Sequence, residues 1–484
     1  MMDECPLGLG VRCAVPTWLT YVYNWLFSEF LTHLGFLLAL VLMAGLLRQR
    51  RSPSSTIAWL LVILLLPYIG VPLYIMFGGR KMKRMAERKE LIFHRTAESD
   101  GSDQCGNVGR LLASYGVPPP TAGNRCELIT SGVEAYQRVT RLIERARSTV
   151  NITTYILGRD EGSQALVDCL RRRAAEGVAV RLLLDDVGSW RVRRRFLAPL
   201  IDAGAQVAYF MPMLHIPFRG RANLRNHRKL IIVDSEIALA GGMNLAWPYI
   251  GPPGSEGLWR DLSMVVEGPA VAELEALFAS DWRFATGRNP TVASRPGRGA
   301  RVLGMESSVI QVVPSGPDVA GDPLYESLLA LVFAARDRIW IVTPYFVPDE
   351  MLVRALSLAA RRGVDVRLIV PRRSNHITAD LARAGYMRDL HTAGGRVLLY
   401  CPVMLHAKAV VFDDELAVIG SANMDMRSLF LNYEVALYVS SPTQVAEVAA
   451  WAQSLMVGSE PELPPPGWQR ELFENVVRLL SPLL

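Results

Sequence analysis

The sequence predicts an α/β protein built from two duplicated lobes about a pseudo-twofold axis, preceded by two N-terminal transmembrane helices. Three observations carry this prediction. Residues 227–244 (HRKLIIVDSEIALAGGMN) and 406–423 (HAKAVVFDDELAVIGSAN) repeat one polar pattern: a His, a Lys two positions on, an Asp five further, then Gly and Asn at matching offsets. Around each copy, amphipathic helical stretches alternate with short β-branched runs, as in α/β lobes. Ahead of both copies lie two long uncharged apolar runs.

Size and composition set the bounds. At 484 residues the chain exceeds one ordinary domain, and with half its residues apolar it can bury a substantial core. A net charge of +6 suits an anionic membrane surface or a phosphate substrate but gives no basic stripe for nucleic acid. The cysteines (Cys5, Cys13, Cys105, Cys126, Cys169 and Cys401) are scattered without CxxC spacing, which predicts reduced thiols, no disulfide framework and no zinc site.

Residues 1–17 lack a basic segment and a cleavage site, so no cleaved signal peptide is expected. The N-terminal membrane region is placed at 1–79, with helices at about 18–47 and 57–77. The uncharged stretches 30–47 and 57–77 are each long enough for ~30 Å of hydrocarbon at ~1.5 Å per residue. Pro67 and Pro72 allow a kink late in the second. The exit from that run carries Arg80, Lys81, Lys83, Arg84, Arg88 and Lys89 against Arg48, Arg50 and Arg51 in the connecting loop, which favours a cytoplasmic catalytic region. Trp18, Trp25 and Trp59 fit interfacial anchoring, and His33 lies in the first run.

Residues 80–125, rich in turn formers, are expected to link this region to the lobes. Lobe 1 is placed at 126–290 and lobe 2 at 308–458. In lobe 1 a helical stretch at 133–150 leads into the strand-like NITTYIL, then a helix at 165–178 and the buried strand VRLLLDD. In lobe 2 residues 324–338, IWIVTPYF, 351–364 and VRLIVPR follow in the same order, and EGVAVRLLL is echoed by RGVDVRLIV. A duplication of this kind implies that each half supplies half of one site. The Pro-rich ELPPPGW then sets off a tail, 459–484, whose Leu472, Phe473, Val476, Val477, Leu479 and Leu480 share one helical face. That face fits docking on the protein and a membrane surface equally well.

The repeated pattern is chemically specific. On a strand, residues i and i+2 share a face, so His227 pairs with Lys229 and His406 with Lys408. An ammonium binds phosphate oxygens while an imidazole attacks or transfers a proton near neutral pH. Asp234 or Asp413 is the expected orienting carboxylate for its histidine. Gly241, Gly242, Gly420 and Ser421 are expected to admit a phosphate close to the backbone, with Asn244 and Asn423 as donors. One such copy is most simply a surface pair. Two copies predict a single site, with one histidine forming a phosphohistidine and the other serving as acid and base. The lysines supply the positive charge, so no metal and no cofactor is expected.

HxKxxxxD followed by GG/GSxN, present twice, resembles the phospholipase D superfamily signature. TPYFVPDE, SGPD, WRDLSMVVEGPAV, RSLFLNYEVAL, the FGGRK that closes the apolar runs and the terminal RLLSPLL resemble its bacterial cardiolipin synthase branch. The resemblance covers the chain from about Ser54 onward and leaves the first ~17 residues unmatched. It implies phosphatidyl transfer between two phosphatidylglycerols, giving cardiolipin and glycerol through a phosphatidyl-enzyme intermediate at a bacterial inner membrane. The catalytic set it implies is His227, Lys229, Asp234, His406, Lys408 and Asp413, with His227 as nucleophile and His406 as acid and base. The spacing itself treats the two histidines alike. Asp261 and Glu434, at equivalent places in the halves, resemble carboxylates that support the histidines, and Asn244, Ser421 and Asn423 join them as support.

Other residues carry weaker signals. His215 and His376 lie near polar or basic residues where a headgroup fits, although an ordinary surface role is simpler. His94 and His391 carry none. Tyr155 and Tyr345 close matching strands, where a site opens. Arg191, Arg193, Arg194 and Arg195 read as a solvated face or a contact for anionic lipid. The rival functions are a hydrolase of the same chemistry, with water or another alcohol as acceptor, and an inactive lipid-binding scaffold.

Overall fold

The computed structural model describes residues 106–211, 224–290, 307–461 and 467–478, together with Lys89 and parts of 29–74. His94, His215, Trp18, Trp25, Leu479 and Leu480 lie outside the described residues. The chain divides into two compact units, Met1–Gly79 and Arg80–Leu484. In the first, helix α1 (Pro53–Leu65) and a helical stretch at 40–47 surround a small cluster of Leu46, Ile63, Val71 and Tyr74. Among the described residues, no helix is long and apolar enough to cross a membrane.

The second unit opens earlier than expected. Residues 106–125, read as linker, contain helix α2 (Gly106–Ser114) and the start of strand β1 (Thr121–Ile129). The sequence TAGNRCELI lacks clean alternation because β1 lies between two neighbours, and its burial follows their packing instead.

The first half continues with α3 (Gly132–Arg145), β2 (Thr149–Thr154), α4 (Glu161–Ala175), β3 (Ala179–Asp185), α5 (Arg194–Asp202), β4 (Gln206–Phe210), β5 (Leu230–Val233), β6 (Ile237–Gly241), β7 (Ser263–Glu267) and α6 (Ala270–Thr286). The second half follows with β8 (Ser308–Ser315), α7 (Pro323–Ala334), β9 (Arg338–Val342), β10 (Phe346–Val347), α8 (Glu350–Arg361), β11 (Asp365–Pro371), α9 (Ile377–Thr392), β12 (Arg396–Tyr400), β13 (Ala409–Phe412) and β14 (Leu416–Gly420). It closes with β15 (Met424–Asp425), α10 (Met426–Phe430), β16 (Glu434–Val439), α11 (Pro442–Val457), β17 (Ser459–Glu460) and α12 (Trp468–Arg478).

Local chemistry starts these helices. The Asp160 carboxylate accepts from the Ser163 amide at α4, and Asp349 accepts from Leu352 at α8, each satisfying a free N-terminal amide. One sheet runs through both halves. Outward from its centre the first half reads β1-β7-β6-β5-β2-β3-β4 and the second reads β8-β16-β14-β13-β9-β11-β12, the same order of equivalent strands, with β17 added at the edge of the second. β1 and β8 join them antiparallel, as a twofold relation between the halves demands.

Strand parity then sorts the side chains. Leu230 and Ile232 of β5 enter an apolar core shared with Ala409 and Val411 of β13, while Ile231 and Val233 face the helices of the first half. Val410 and Phe412 likewise face the helices of the second. The shared core fixes the two eighteen-residue stretches against each other as paired hairpins, β5–β6 and β13–β14.

Candidate active site

The histidines precede the hairpins on irregular backbone, and neighbouring chain fixes that backbone. The His227 amide donates to the Tyr433 carbonyl at 2.9 Å, and the His406 amide to the Arg260 carbonyl at 2.7 Å. Each histidine is thus held by the opposite half.

The side chains repeat this exchange. His227 Nδ1 lies 2.9 Å from Glu434 Oε1, and His406 Nδ1 lies 2.6 Å from Asp261 Oδ2. Both carboxylates are completely buried. A carboxylate that accepts from Nδ1–H fixes the tautomer and leaves the Nε2 lone pair available. Burial pushes the His227 imidazole down to about 4 and the His406 imidazole to about 3, so both are neutral at pH 7 in the free protein. The Asp261 and Glu434 carboxylates are held below their ordinary range despite burial, chiefly by His406 and His227 respectively, with the neighbouring lysines adding to the effect.

The carboxylates are themselves positioned. The Ser421 hydroxyl donates to Glu434 Oε2 at 2.5 Å and Asn432 Nδ2 to Oε1 at 3.3 Å. At the equivalent place in the first half stands Gly242, where a Cβ would lie 2.2 Å from Asp261 Oδ1. The small residues after each strand were expected to make room for phosphate. The room at Gly242 is taken by the carboxylate, and Ser421 is a support for Glu434.

Lys229 and Lys408 are buried, and burial lowers their ammonium groups to about 7 and about 8. Lys229 Nζ donates to the His227 carbonyl at 2.6 Å, and Lys408 Nζ donates to the His406 carbonyl. Lys408 Nζ also lies 2.8 Å from His406 Nδ1. Nδ1 has one in-plane position, which the shorter contact to Asp261 occupies, so the ammonium approach is a charge contact there.

Asp234 and Asp413 do not reach the histidines, which corrects their expected role as orienting groups. Seven residues of extended chain, up to roughly 23 Å at ~3.3 Å each, separate Asp234 from His227. Asp234 accepts from the amides of Arg147, Ser148 and Thr149 at 2.7–2.9 Å. Asp413 accepts from those of Arg336, Asp337 and Arg338, with its nearest contacts at 2.8 Å. Both adopt left-handed backbone, at φ 55° and 49°, in the loops that close the hairpins. Each ties its hairpin to the start of a neighbouring strand.

His227 and His406 open onto one cleft of about 330 Å³, lined also by Tyr155, Asn244, Tyr249, Tyr345, His376, Asn423 and Asn432. Tyr155 stands edge-on to His227 at 5.0 Å between ring centroids, and Tyr249 to His406 at 4.8 Å. Asn244 Oδ1 accepts from the Ile156 amide at 3.1 Å, so this asparagine braces the cleft wall. His376, read from sequence as more simply a surface residue, belongs to the cleft and packs edge-on to Tyr345. His33, in the first unit, has Nδ1 2.7 Å from the Glu29 carbonyl.

Sequence reasoning missed Tyr249, Asn432, Arg225, Arg427 and Arg228. The first four line the cleft. Arg228 sits between His227 and Lys229 and takes the opposite strand face, where it is fully buried. It donates to Asp281 at 2.7 Å, to Asp318 at 3.2 Å and to the Glu434 carbonyl at 3.1 Å; Lys89 also binds both aspartates. The available signal was the difference between HRK and HAK. Ala407, at the matching position, simply fills the shared core.

The chain is similar to known proteins over most of its length. Residues 139–282 and 328–456 match the family described as cardiolipin synthase, PLD-like domain, and residues 37–79 match the phospholipase D-nuclease N-terminal family. It is 33% identical over 460 residues to cardiolipin synthase 1 of Bacillus cereus, covering 90% of each chain. It is also 33% identical over 485 residues to the major cardiolipin synthase of Bacillus subtilis, covering 94% of this chain and 99% of that one. Among solved structures it resembles phosphatidylserine synthase of Haemophilus influenzae, with a TM-score of 0.59 at 16% identity over 79% of this chain and all of the other. That last likeness concerns the fold.

Proposed function

The chain belongs to the cardiolipin synthase family of phospholipase D-like proteins, and from that premise we propose how its cleft carries out phosphatidyl transfer between two phosphatidylglycerols. It is a phosphatidyltransferase. The observation that carries the reading is the exchange of carboxylates, with His227 on Glu434 and His406 on Asp261 across one cleft.

In the first step His227 Nε2 attacks the phosphorus of a donor phosphatidylglycerol. A P–N bond forms, the P–O bond to glycerol breaks, and His406 delivers a proton to the leaving oxygen. The free protein keeps His406 neutral, and the incoming phosphodiester anion provides the negative charge that favours its imidazolium. In the second step His406 removes a proton from a hydroxyl of the acceptor lipid. That oxygen attacks phosphorus, the P–N bond breaks, and cardiolipin leaves. Lys229 and Lys408 balance the charge on the phosphoryl oxygens in both steps. Asp234 and Asp413 keep the hairpins in register and take no part in proton transfer. The assignment of His227 as nucleophile follows the family resemblance.

The apolar runs at 30–47 and 57–77, with the basic cluster that follows, support a multi-pass anchor in a bacterial inner membrane and a cytoplasmic catalytic unit. Anionic phospholipid is then the partner as well as the substrate.

Purified protein in phosphatidylglycerol micelles with chelator present should release free glycerol and cardiolipin in equal amounts, without a cytidine-activated lipid. H227A and H406A should each lower turnover by at least ~10⁴-fold. Acid-free quenching followed by peptide mass spectrometry should find phosphatidyl-histidine at 227 in the unaltered protein and in H406A. Phosphatidic acid as sole product would make the chain a hydrolase, and an adduct at 406 would reverse the two roles.

A further inference from the structure

Helix α12 docks onto the catalytic unit with its polarity reversed. Glu474 is almost completely buried and receives Arg388 at 2.6 Å and Arg470 at 2.8 Å. Arg478 donates to Asp389 at 3.0 Å and lies over the Tyr386 ring at 4.1 Å, and Val477 is buried beside them. The opposite face carries Trp468, Leu472, Phe473 and Val476, exposed by 73%, 60%, 56% and 51%. Positions four apart place these on one side of a helix. Isolated exposed apolar residues are common on soluble proteins, but a contiguous apolar stripe marks a binding surface. Here salt bridges hold the stripe outward, so it is a fixed feature of the fold.

The helix that receives α12 is α9, whose first turn borders the cleft. His376, Thr378 and Ala379 line the cleft, and Ile377 between them is 77% exposed. Arg478 reaches Gly385 and Tyr386, so the point where α12 docks lies about two turns along α9, roughly 11 Å, from the cleft-lining first turn. The loop into α9 adds exposed Arg373; Arg372 beside it pairs with Glu460. Apolar side chains beside cations, at the mouth of a cleft that takes a lipid phosphate, match the chemistry of an anionic bilayer surface.

We propose that the outer face of α12, with Ile377 and Arg373 near the cleft mouth, is a bilayer-docking surface that turns the cleft toward lipid headgroups. The proposal rests on the phosphatidyl-transfer reading for its choice of occupant. It assigns α9 as the rigid link between the membrane contact and the active site. The stripe inserts among acyl chains, Arg373 meets phosphate, and substrate enters from the plane of the membrane.

The test uses the full chain in vesicles of phosphatidylglycerol bearing a photoactivatable diazirine in one acyl chain. Irradiation should give lipid adducts on the peptide containing residues 468–476. L472E/F473E should cut cardiolipin formation from vesicles at least tenfold while leaving the rate on short-chain, monomerically dispersed phosphatidylglycerol within twofold. Absence of adducts in 468–476 together with unimpaired vesicle activity would overturn the proposal. So would absence of adducts together with a smaller assembly for L472E/F473E by light scattering, which would make the face a contact between copies of this chain. If the variant loses both activities, adduct mapping on the unaltered protein decides alone. If cardiolipin never forms but adducts appear at 468–476, the docking surface stands and the transfer reading fails.

Discussion

Each histidine is oriented by a carboxylate from the other half, so the decisive residue contacts are long-range ones. Glu434 lies 207 positions from His227, and Asp261 lies 145 from His406. An amide at either position keeps the shape but supplies an N–H where Nδ1–H requires an acceptor, which selects the wrong tautomer. E434Q and D261N should therefore each lower kcat by about 10²–10⁴-fold with little change in KM, measured by glycerol release. A loss below threefold in both would remove the carboxylates from the mechanism. The lysines should set the upper pH limit. A lysine whose pKa is depressed to about 7 or 8 by burial is charged below that value and neutral above it. Phosphate attraction is thus lost as pH rises, and kcat/KM should fall above pH about 7–8. The bound phosphodiester anion favours the charged ammonium, so the limb for kcat should lie at higher pH. A flat kcat/KM profile to pH 10 would exclude the lysines as the source of charge.

At the scale of elements, the His–Lys–Asp pattern divides its work: the His opens onto the cleft, the Lys binds the carbonyl of that His, and the Asp closes a hairpin. Asp234 and Asp413 each gather amides ahead of β2 and β9 and sit in left-handed loop positions that Asp tolerates. D234N and D413N should each cost about 1–3 kcal/mol in urea unfolding through weaker charge-assisted bonds, with kcat per folded molecule falling less than tenfold. A kcat loss as large as that of D261N would restore these aspartates to the chemistry. This division was not legible in sequence, because an Asp after a strand fits either a histidine partner or a turn. The alternation of strands and helices was legible, since it follows from the 2.0 and 3.6 periods of apolar residues. The paired histidines were legible because the duplication exposed them. Strand β1 was missed because its burial is imposed by its neighbours, and Gly242 was misread because Asp261, its close neighbour, is distant in sequence. Helix α12 was expected to present one apolar face. Its charges dock instead, because Arg388 and Asp389 of α9 meet Glu474 and Arg478.

At the scale of the whole molecule, what must be held is the relation between the two halves, because neither half contains a complete histidine–carboxylate pair. A shared apolar core packs the halves together, but apolar packing is weakly directional and does not by itself fix an angle. Arg228 adds direction. It emerges beside His227, crosses the shared core, and binds Asp281 of the first half together with Asp318 and the Glu434 carbonyl of the second. Its aspartate partners lie 53 and 90 residues away, and the sequence offers no spacing rule that joins them. With Lys89 the cluster contains two cations and two carboxylates, all buried, so its charges balance. Removing Arg228 leaves one ammonium for two carboxylates inside the core. R228A should therefore destabilise the protein by about 3–5 kcal/mol, read as a lower denaturant midpoint. The cause is separable from simple loss of packing. R228M/D318N removes one charge of each sign, leaves Lys89 with Asp281, and fills the space, so it should recover at least half of the lost stability. It cannot restore the bond to the Glu434 carbonyl, so its kcat should stay well below that of the unaltered protein even where it is fully folded. If R228A costs less than ~1 kcal/mol, or if R228M/D318N regains full turnover, the cluster does not align the halves and the apolar core alone sets the geometry of the site.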